Sequence, residues 1–295
     1  MLRTAVFGYG NVGRMAARAC LGSGDIKLVG VVDPLFEGGD IEGVGKIAKT
    51  PEQLPPYDAA ILALPSRLVP DAAARLLQSG KHTADSFDIH GDIPGVRARL
   101  DGIAKSAGVS AVLAAGWDPG TDSIVRTLLE VMAPHGITHT NFGPGMSMGH
   151  SVAARAIAGV RDALSVTIPM GSGIHRRMVY VQLEEGCSIE QAAQAIRADD
   201  YFAHDETIVL AVPCVDALRD MGHGVVIERK GVSAGAHNQQ FSFDMRVNGP
   251  ALTAQILVGA IRAAVKQAPG CYTMIEIPPV DFLEMRREDA VGRFV

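Results

Sequence analysis

The stretch "VFGYGNVGRMAARACLGSGDIKLVGVVDP", residues 6–34, constrains the fold more than any other part of the chain. A short apolar run at 4–7 reads as a buried strand. Gly8, Gly10 and Gly13 follow with GxGxxG spacing, a helical pattern covers about 11–21, and a second apolar run at 28–32 follows the turn Ser23-Gly24-Asp25. Gly8 permits the tight turn, Gly10 keeps side-chain atoms away from a pyrophosphate, and Gly13 lets the helix approach the strand. The helix N-terminus offers free N–H groups to phosphate oxygens. Gly8, Tyr9, Gly10, Asn11, Val12 and Gly13 are therefore the expected phosphate-side contacts of a dinucleotide. Asp33 closes the second strand twenty residues after Gly13. A carboxylate there can accept hydrogen bonds from ribose hydroxyls, which suits NAD, and would repel the 2′-phosphate of NADP. Pro34, Leu35, Phe36 and Glu37 bring no cation to that loop. Arg67, after the third strand, is the nearest candidate phosphate ligand.

The strand–helix rhythm continues. Apolar runs at 58–64, 82–86 and 109–114 read as further strands, separated by helical patterns at 69–80 and 93–107. Short loops between them argue an α/β, Rossmann-type doubly wound parallel sheet. In such sheets ligands sit beyond the carboxyl ends of the strands. Leu64, Pro65, Ser66 and Arg67, then Ser86 and Phe87, then Pro119 and Gly120, are expected to border the cofactor. A helix follows at 123–132. From residue 139 the pattern changes to strand-like segments ("VTIPM", "RRMVYVQL", "TIVLAV", "GVVIERKGVS", "QFSFDMRVN"), interrupted by a helix near 189–198. This reads as an α+β domain with a mixed or antiparallel sheet covered by helices on one face. The expected organisation is a dinucleotide domain at 1–118, a second domain at 119–249, a helical apolar segment near 250–270, and a C-terminal tail at 271–295. Within that tail, 275–283 reads as extended.

Composition narrows the partners. The chain has 295 residues, enough for two domains, with 47% hydrophobic residues and a formal charge of −5. Without a long basic run, nucleic acid is not an expected partner. No apolar stretch reaches the length of a membrane span. Met1 leads directly into the first strand, so no leader is expected and the location reads as cytoplasmic. Cys20, Cys187, Cys214 and Cys271 are scattered without a CxxC pair, which reads as buried free thiols and no metal site.

"GYGNVGR", "DSFDIHGDIP", "AGWDPGTDS", "FGPGMSMGHS", "TIPMGSGIHRRMVYV", "DMGHGV" and "SFDMRVNGPALTAQIL" together resemble the meso-diaminopimelate dehydrogenase family, in order and over nearly the whole chain. The resemblance implies that 119–249 is a substrate-binding and dimerisation domain, that the segment near 250–270 returns to the dinucleotide domain, and that the protein is a homodimer. It also implies an NADP-dependent, reversible oxidative deamination at the D-centre of meso-2,6-diaminopimelate. The products are L-2-amino-6-oxopimelate, ammonia and reduced cofactor. The "HRRMVYV" and "NFGPGMSMGH" segments resemble a branch that also accepts simpler D-amino acids. By resemblance, Thr167, Arg177 and His223 bind carboxylate, while Phe142, Met146 and Met148 line the pocket. Asn248 precedes Gly249, where the family usually has asparagine, so Asn248 or neither supplies that substrate contact.

The residues point to the same chemistry. An amino-acid substrate needs carboxylates for its ammonium groups and cations or hydroxyls for its carboxylates. Asp88 and Asp118 end consecutive strands and are the candidate catalytic and amine-binding groups. Trp117 can wall the site. Arg177 offers a planar fork, although the adjacent Arg176 could take that role if the strand phase were shifted by one. His90 and His150 read first as structural hydrogen-bonders. Two other functions fit the same motifs: an NAD(P)-dependent D-amino acid dehydrogenase or imine reductase with another substrate, and a non-catalytic dinucleotide sensor.

Overall fold

The computed structural model of the chain describes every residue except Glu37, Gly38, Glu42 and Met221. Part of the acidic loop expected at 37–42, and Met221 of "DMGHGV", therefore lie outside the described residues. The chain forms two compact units, Met1–Ile124 with Pro250–Val295, and Val125–Gly249.

The first unit is built on a six-stranded sheet in the spatial order Gly270–Tyr272, Ser110–Val112, His82–Asp85, Ala59–Leu62, Leu2–Phe7, Ile26–Val32. Every pairing in it is parallel. Both faces are covered, and the period-two alternation of the strands sorts their side chains between two cores. Ala5, Phe7, Ala60 and Leu62 join a core with Ala73, Leu77 and Leu100 of helices Val69–Gln78 and Ile93–Ala107. Val6, Val31, Ile61 and Val112 join the opposite one, with Ala16, Ala17 and Cys20 of helix Asn11–Leu21 and Leu257, Val258 and Ile261 of helix Gly249–Ala264. Helix Asn11–Leu21 turns Gly13, Ala16, Ala17 and Cys20 inward, the i, i+3, i+4, i+7 spacing of one helical face. From Leu2–Phe7 the chain runs to one edge at Ile26–Val32 and then resumes on the other side at Ala59–Leu62. The reversal of winding falls there, at the carboxyl ends of Leu2–Phe7 and Ala59–Leu62.

The second unit holds the expected mixed sheet and, beside it in the chain, a second sheet that is antiparallel. A four-stranded sheet runs Glu206–Ala211, Ile174–Leu183, Val160–Gly171, Gly145–Ser147. Its first pairing is parallel and the other two antiparallel. Helices Met148–Arg155 and Ile189–Ala198 cover it through Ala153, Ala154, Val179, Val181, Ile196 and Phe202. The second sheet is antiparallel, Ala236–Asn248, Gly222–Ser233, His135–Phe142.

Three expectations change. Residues 275–283 are not extended: they form short 3-10 turns, Met274–Glu276 and Pro279–Phe282, followed by helix Arg287–Phe294. Thr273 and Glu276 cap the first turn reciprocally, and Pro279 opens the second, so local capping overrides the apolar run. The segment 271–295 belongs to the first unit, entering it through the edge strand Gly270–Tyr272. Only Cys20 and Cys271 are buried thiols; Cys187 and Cys214 lie on surface loops and are exposed.

Candidate functional site

In the first unit the glycine turn has the shape its spacing requires. Gly8 has φ +91°, and a Cβ there would stand 2.3 Å from the Ala63 carbonyl oxygen. A Cβ on Gly13 would stand 2.0 Å from the Gly8 carbonyl oxygen. Gly10 differs: a Cβ there would meet nothing within 4 Å. Open space therefore lies in front of the helix Asn11–Leu21, whose first turn has no acidic residue and whose N-cap, Gly10, has no side chain to cap it. Unsatisfied N–H groups facing open space fit a pyrophosphate.

Asp33 is held as well as placed. Its Oδ2 accepts from the Tyr9 N–H (2.8 Å), and its Oδ1 accepts from the N–H groups of Leu35 (2.9 Å) and Phe36 (3.2 Å). The carboxylate thus ties the glycine turn to the loop after the second strand. A carboxylate has about four lone-pair directions, so Oδ2 keeps acceptor capacity for a hydroxyl. The expectation that this loop lacks a nearby cation is corrected. Lys49 Nζ donates to the carbonyls of Pro34 (3.2 Å) and Phe36. The Arg14 guanidinium lies over the rings of Tyr9 and Phe36, 5.5 and 5.6 Å from their centroids. Both come from segments remote in sequence from 33–36, which a local reading cannot bring together. Pro34 and Leu35 are exposed, as are Pro65 and Arg67; Leu64 and Ser66 are half-buried.

The loops after the next strands are fixed by a buried carboxylate that the motif reading missed. Asp85 Oδ1 accepts from the N–H groups of Phe87 (3.0 Å) and Ala114 (3.1 Å), and Ala115 N–H donates to the Asp85 carbonyl (2.7 Å). Ala114 is in the left-handed region, φ 59°, and its bond to Asp85 holds it there. Asp85 thereby positions both the Ser86-Phe87-Asp88 turn and the segment leading to Trp117-Asp118-Pro119-Gly120. Complete burial pushes the Asp85 carboxyl up to about 6. Ser86 is half-buried, whereas Phe87 is in the core at 1% exposure, so only its backbone can border a cofactor. Asp88 Oδ1 accepts from the Ser66 hydroxyl (2.6 Å), and the Asp88 N–H donates to the same hydroxyl (3.3 Å). Asp118 is half-buried, its Oδ2 3.9 Å from His90 Nε2. Trp117, Pro119 and Gly120 are buried.

In the second unit, strand register puts Thr167 opposite Arg177. Arg177 Nη1 donates to the hydroxyl of fully buried Thr167, and Arg177 Nε donates to Asp205 Oδ2 (2.6 Å). Arg176 points the other way, to Glu206 Oε2 (2.8 Å), in an exposed pair. The strand phase therefore selects Arg177 as the member of the pair beside Thr167. Burial and the Arg177 charge push His223 down to about 4, so it is neutral near pH 7. His175, which motif reading did not single out, is also shifted down, by burial and then by Arg177. Its Nε2 accepts from the Phe142 N–H (2.8 Å), and the two rings are 5.3 Å apart. Met146 packs against Leu164 and Val215 with Met148 beside it, which leaves Met146 6% exposed. Asn248 ends its strand opposite Gly222, and Gly249 opens the following helix. His150 has a structural environment: Nδ1 lies 2.8 Å from Ser147 Oγ, and its ring meets Tyr201 and Phe202 edge-on.

Among the described residues no cluster of three or more His, Cys, Asp or Glu side chains could hold a metal ion, and no helix is long and apolar enough to cross a membrane.

Residues 116–249 match the diaminopimelic acid dehydrogenase C-terminal domain. The chain is 52% identical to the meso-diaminopimelate D-dehydrogenase of Bacteroides fragilis, over 100% of this chain and 99% of that protein. It belongs to the meso-diaminopimelate D-dehydrogenase family. The enzyme of that name from Acetivibrio thermocellus is 30% identical over 94% of this chain and 93% of its own. Among solved structures, a C. glutamicum DAP dehydrogenase in complex with DAP superposes with a TM-score of 0.89 at 27% identity, covering 100% of this chain and 99% of that one. An engineered D-amino acid dehydrogenase bound to NADP+ superposes with a TM-score of 0.88 at 26% identity, again over 100% and 99%. This member of the family is an oxidoreductase, and its first unit is a nicotinamide dinucleotide-binding fold.

Proposed function

We propose that the chain catalyses the reversible oxidative deamination of meso-2,6-diaminopimelate at its D-centre. With water and oxidised cofactor, the products are L-2-amino-6-oxopimelate, ammonia, reduced cofactor and a proton. The observation that carries this reading is the 52% identity, over the full chain, to an enzyme named for it.

A nicotinamide cofactor held at the glycine turn would supply the acceptor for the hydride of the D-α-carbon. The protein supplies position and charge. Asp88 and Asp118 take the reacting amine. Asp118 stands nearest it, and Asp88 is oriented by the Ser66 hydroxyl. Trp117 walls the site. Arg177, with Thr167 and neutral His223, takes a carboxylate through its remaining N–H groups, and Phe142, Met146 and Met148 line the apolar part of the chain. Asn248 stands where the family contact at Gly249 is missing. After hydride loss, water adds to the imine carbon and ammonia leaves. The test is a matrix of purified protein against NAD and NADP, each with meso-diaminopimelate, D-alanine and D-lysine. Efficient turnover of meso-diaminopimelate supports the reading; turnover of the simple D-amino acids alone replaces it with the D-amino acid dehydrogenase reading, which the likeness to the engineered enzyme favours.

For the cofactor, we propose NAD use at least comparable to NADP use. Asp33 favours a ribose diol through its spare Oδ2 capacity, while Arg14 and Lys49 supply positive charge near the same loop. A homodimer in the cytoplasm completes the proposal, and sedimentation of the purified protein tests the dimer.

A further inference from the structure

The carboxylate cluster of the second unit contains an acid that carboxylate binding does not need. Asp205 Oδ2 accepts from Arg177 Nε at 2.6 Å, with Arg177 11% and Asp205 22% exposed. Holding Arg177 is already the work of Thr167, which is fully buried and accepts from Nη1 on the neighbouring strand. Asp205 Oδ1 accepts no hydrogen bond from the described residues, and the side chain keeps solvent access. A guanidinium has five N–H bonds. Among the described residues Asp205 and Thr167 use one each, which leaves one on Nη1 and both on Nη2. A fork of free donors and a free carboxylate oxygen therefore lie side by side. His175 and His223 add no charge near neutral pH, both being shifted down by burial beside Arg177. The cluster is one cation and one anion, the charge complement of an α-amino acid head, whose ammonium and carboxylate share one carbon.

We propose that Asp205 binds the second ammonium group of the substrate, the one at the end that is not oxidised, while Arg177 binds the carboxylate on the same carbon. This rests on the diaminopimelate reading and deepens it. Asp205 makes the enzyme prefer a substrate with two amino acid heads over one whose far end carries a carboxylate alone. A plain carboxylate would meet Asp205 as a like charge, and a zwitterionic head would pair with both members.

The experiment compares two ligands of the same chain length, meso-diaminopimelate and D-2-aminopimelate, which lacks only the far ammonium. Affinities are measured by calorimetry on full-length protein saturated with reduced cofactor, where the amine form is not turned over. Wild type should bind meso-diaminopimelate at least about tenfold more tightly, the worth of a charge-assisted hydrogen bond. Asp205→Asn should abolish that preference, with affinity for D-2-aminopimelate unchanged within threefold or improved. Equal wild-type affinities, or binding of neither ligand, overturns the proposal. So does a parallel loss for both ligands in Asp205→Asn, since it would mean that Asp205 only holds Arg177. Should Asp205→Asn fail to fold by circular dichroism, Asp205→Ser takes its place with the same two outcomes. Turnover with oxidised cofactor is read separately: selective binding without deamination keeps this inference and refutes the reaction.

Discussion

Replacing Asp33 by serine tests the cofactor reading with a ratio that cancels most indirect effects. Asp33 accepts three backbone N–H bonds, from Tyr9, Leu35 and Phe36. The substitution therefore loosens the glycine turn for both cofactors alike. Hydrogen bonds to a charged acceptor contribute about 1.5–3 kcal/mol, so a fall of several degrees in Tm is expected. The charge effect acts on NADP only. A unit charge about 6 Å from a carboxylate, at an effective dielectric of about 20, is repelled by about 3 kcal/mol. Half-burial of Asp33 lets solvent screen roughly half of this, and a phosphate charge of about −1.5 to −2 nearly restores it. The net figure is about 2–3 kcal/mol, or roughly 30- to 150-fold in the NADP/NAD ratio of kcat/KM. Steady-state kinetics with each cofactor, together with equilibrium cofactor binding, give that ratio for wild type and Asp33→Ser. A ratio that moves by less than threefold refutes the electrostatic argument. A wild type preferring NADP by more than tenfold refutes the NAD assignment and makes Arg14 and Lys49 the phosphate ligands to test next.

Asp118→Asn should lower kcat/KM by at least about 10²-fold, or about 2.7 kcal/mol, with Asp88→Asn milder; wild-type kinetics in both folded variants would remove them from the amine site. Arg177→Met should raise KM for substrate strongly and leave cofactor affinity intact, whereas Arg176→Met, which breaks only the exposed pair with Glu206, should do little; the reverse order would place the carboxylate on the other strand face. Asp85→Asn keeps an acceptor for Phe87 and Ala114 and removes a buried charge. The folded carboxyl titrates at about 6, above its ordinary 3.8, so its ionisation opposes folding above pH 6, and that penalty fades as pH falls toward 3.8. The variant should then gain on wild type by up to about 3 kcal/mol at pH 7 and by nothing near pH 4 in urea unfolding, while a pH-independent difference would place the Asp85 pKa elsewhere. His223 has the opposite sign. Its folded value of about 4 lies below the ordinary 6.5, so its contribution is complete above pH 6.5 and is lost as pH falls through 4. His223→Gln should accordingly flatten the acid side of the stability profile, and an unchanged slope would contradict its burial as a neutral ring.

What could be read in the sequence was what the chain decides locally. The glycine turn, the helix Asn11–Leu21 and the buried strands announce themselves because each needs particular residues at short spacing. Strand His135–Phe142 does not. It is polar and alternates weakly, and it is a strand because Gly222–Ser233 pairs with it along eight residues. The site divides in the same way. Asp88 and Asp118 follow strands and stand inside motifs, so their place beyond the sheet could be inferred. The cations near Asp33 could not be. Arg14 reaches the loop by folding back over Tyr9, and Lys49 reaches it from the far side of a small hairpin. Arg177 could be assigned a direction only up to strand phase, since Arg176 has the same chemistry one residue away. The phase is set by the Thr167 pairing, and Thr167 is buried because its strand lies between two others. Asp205 is the extreme case. It is 28 residues from Arg177 and carries no motif. It arrives beside the guanidinium because Ile174–Leu183 pairs in parallel with Glu206–Ala211, and a parallel pairing requires a crossover, here through helix Ile189–Ala198. The length of that crossover is fixed by helix packing rather than by the chemistry at its end. A carboxylate delivered in this way leaves no spacing rule in the sequence, even where it decides which substrate is preferred.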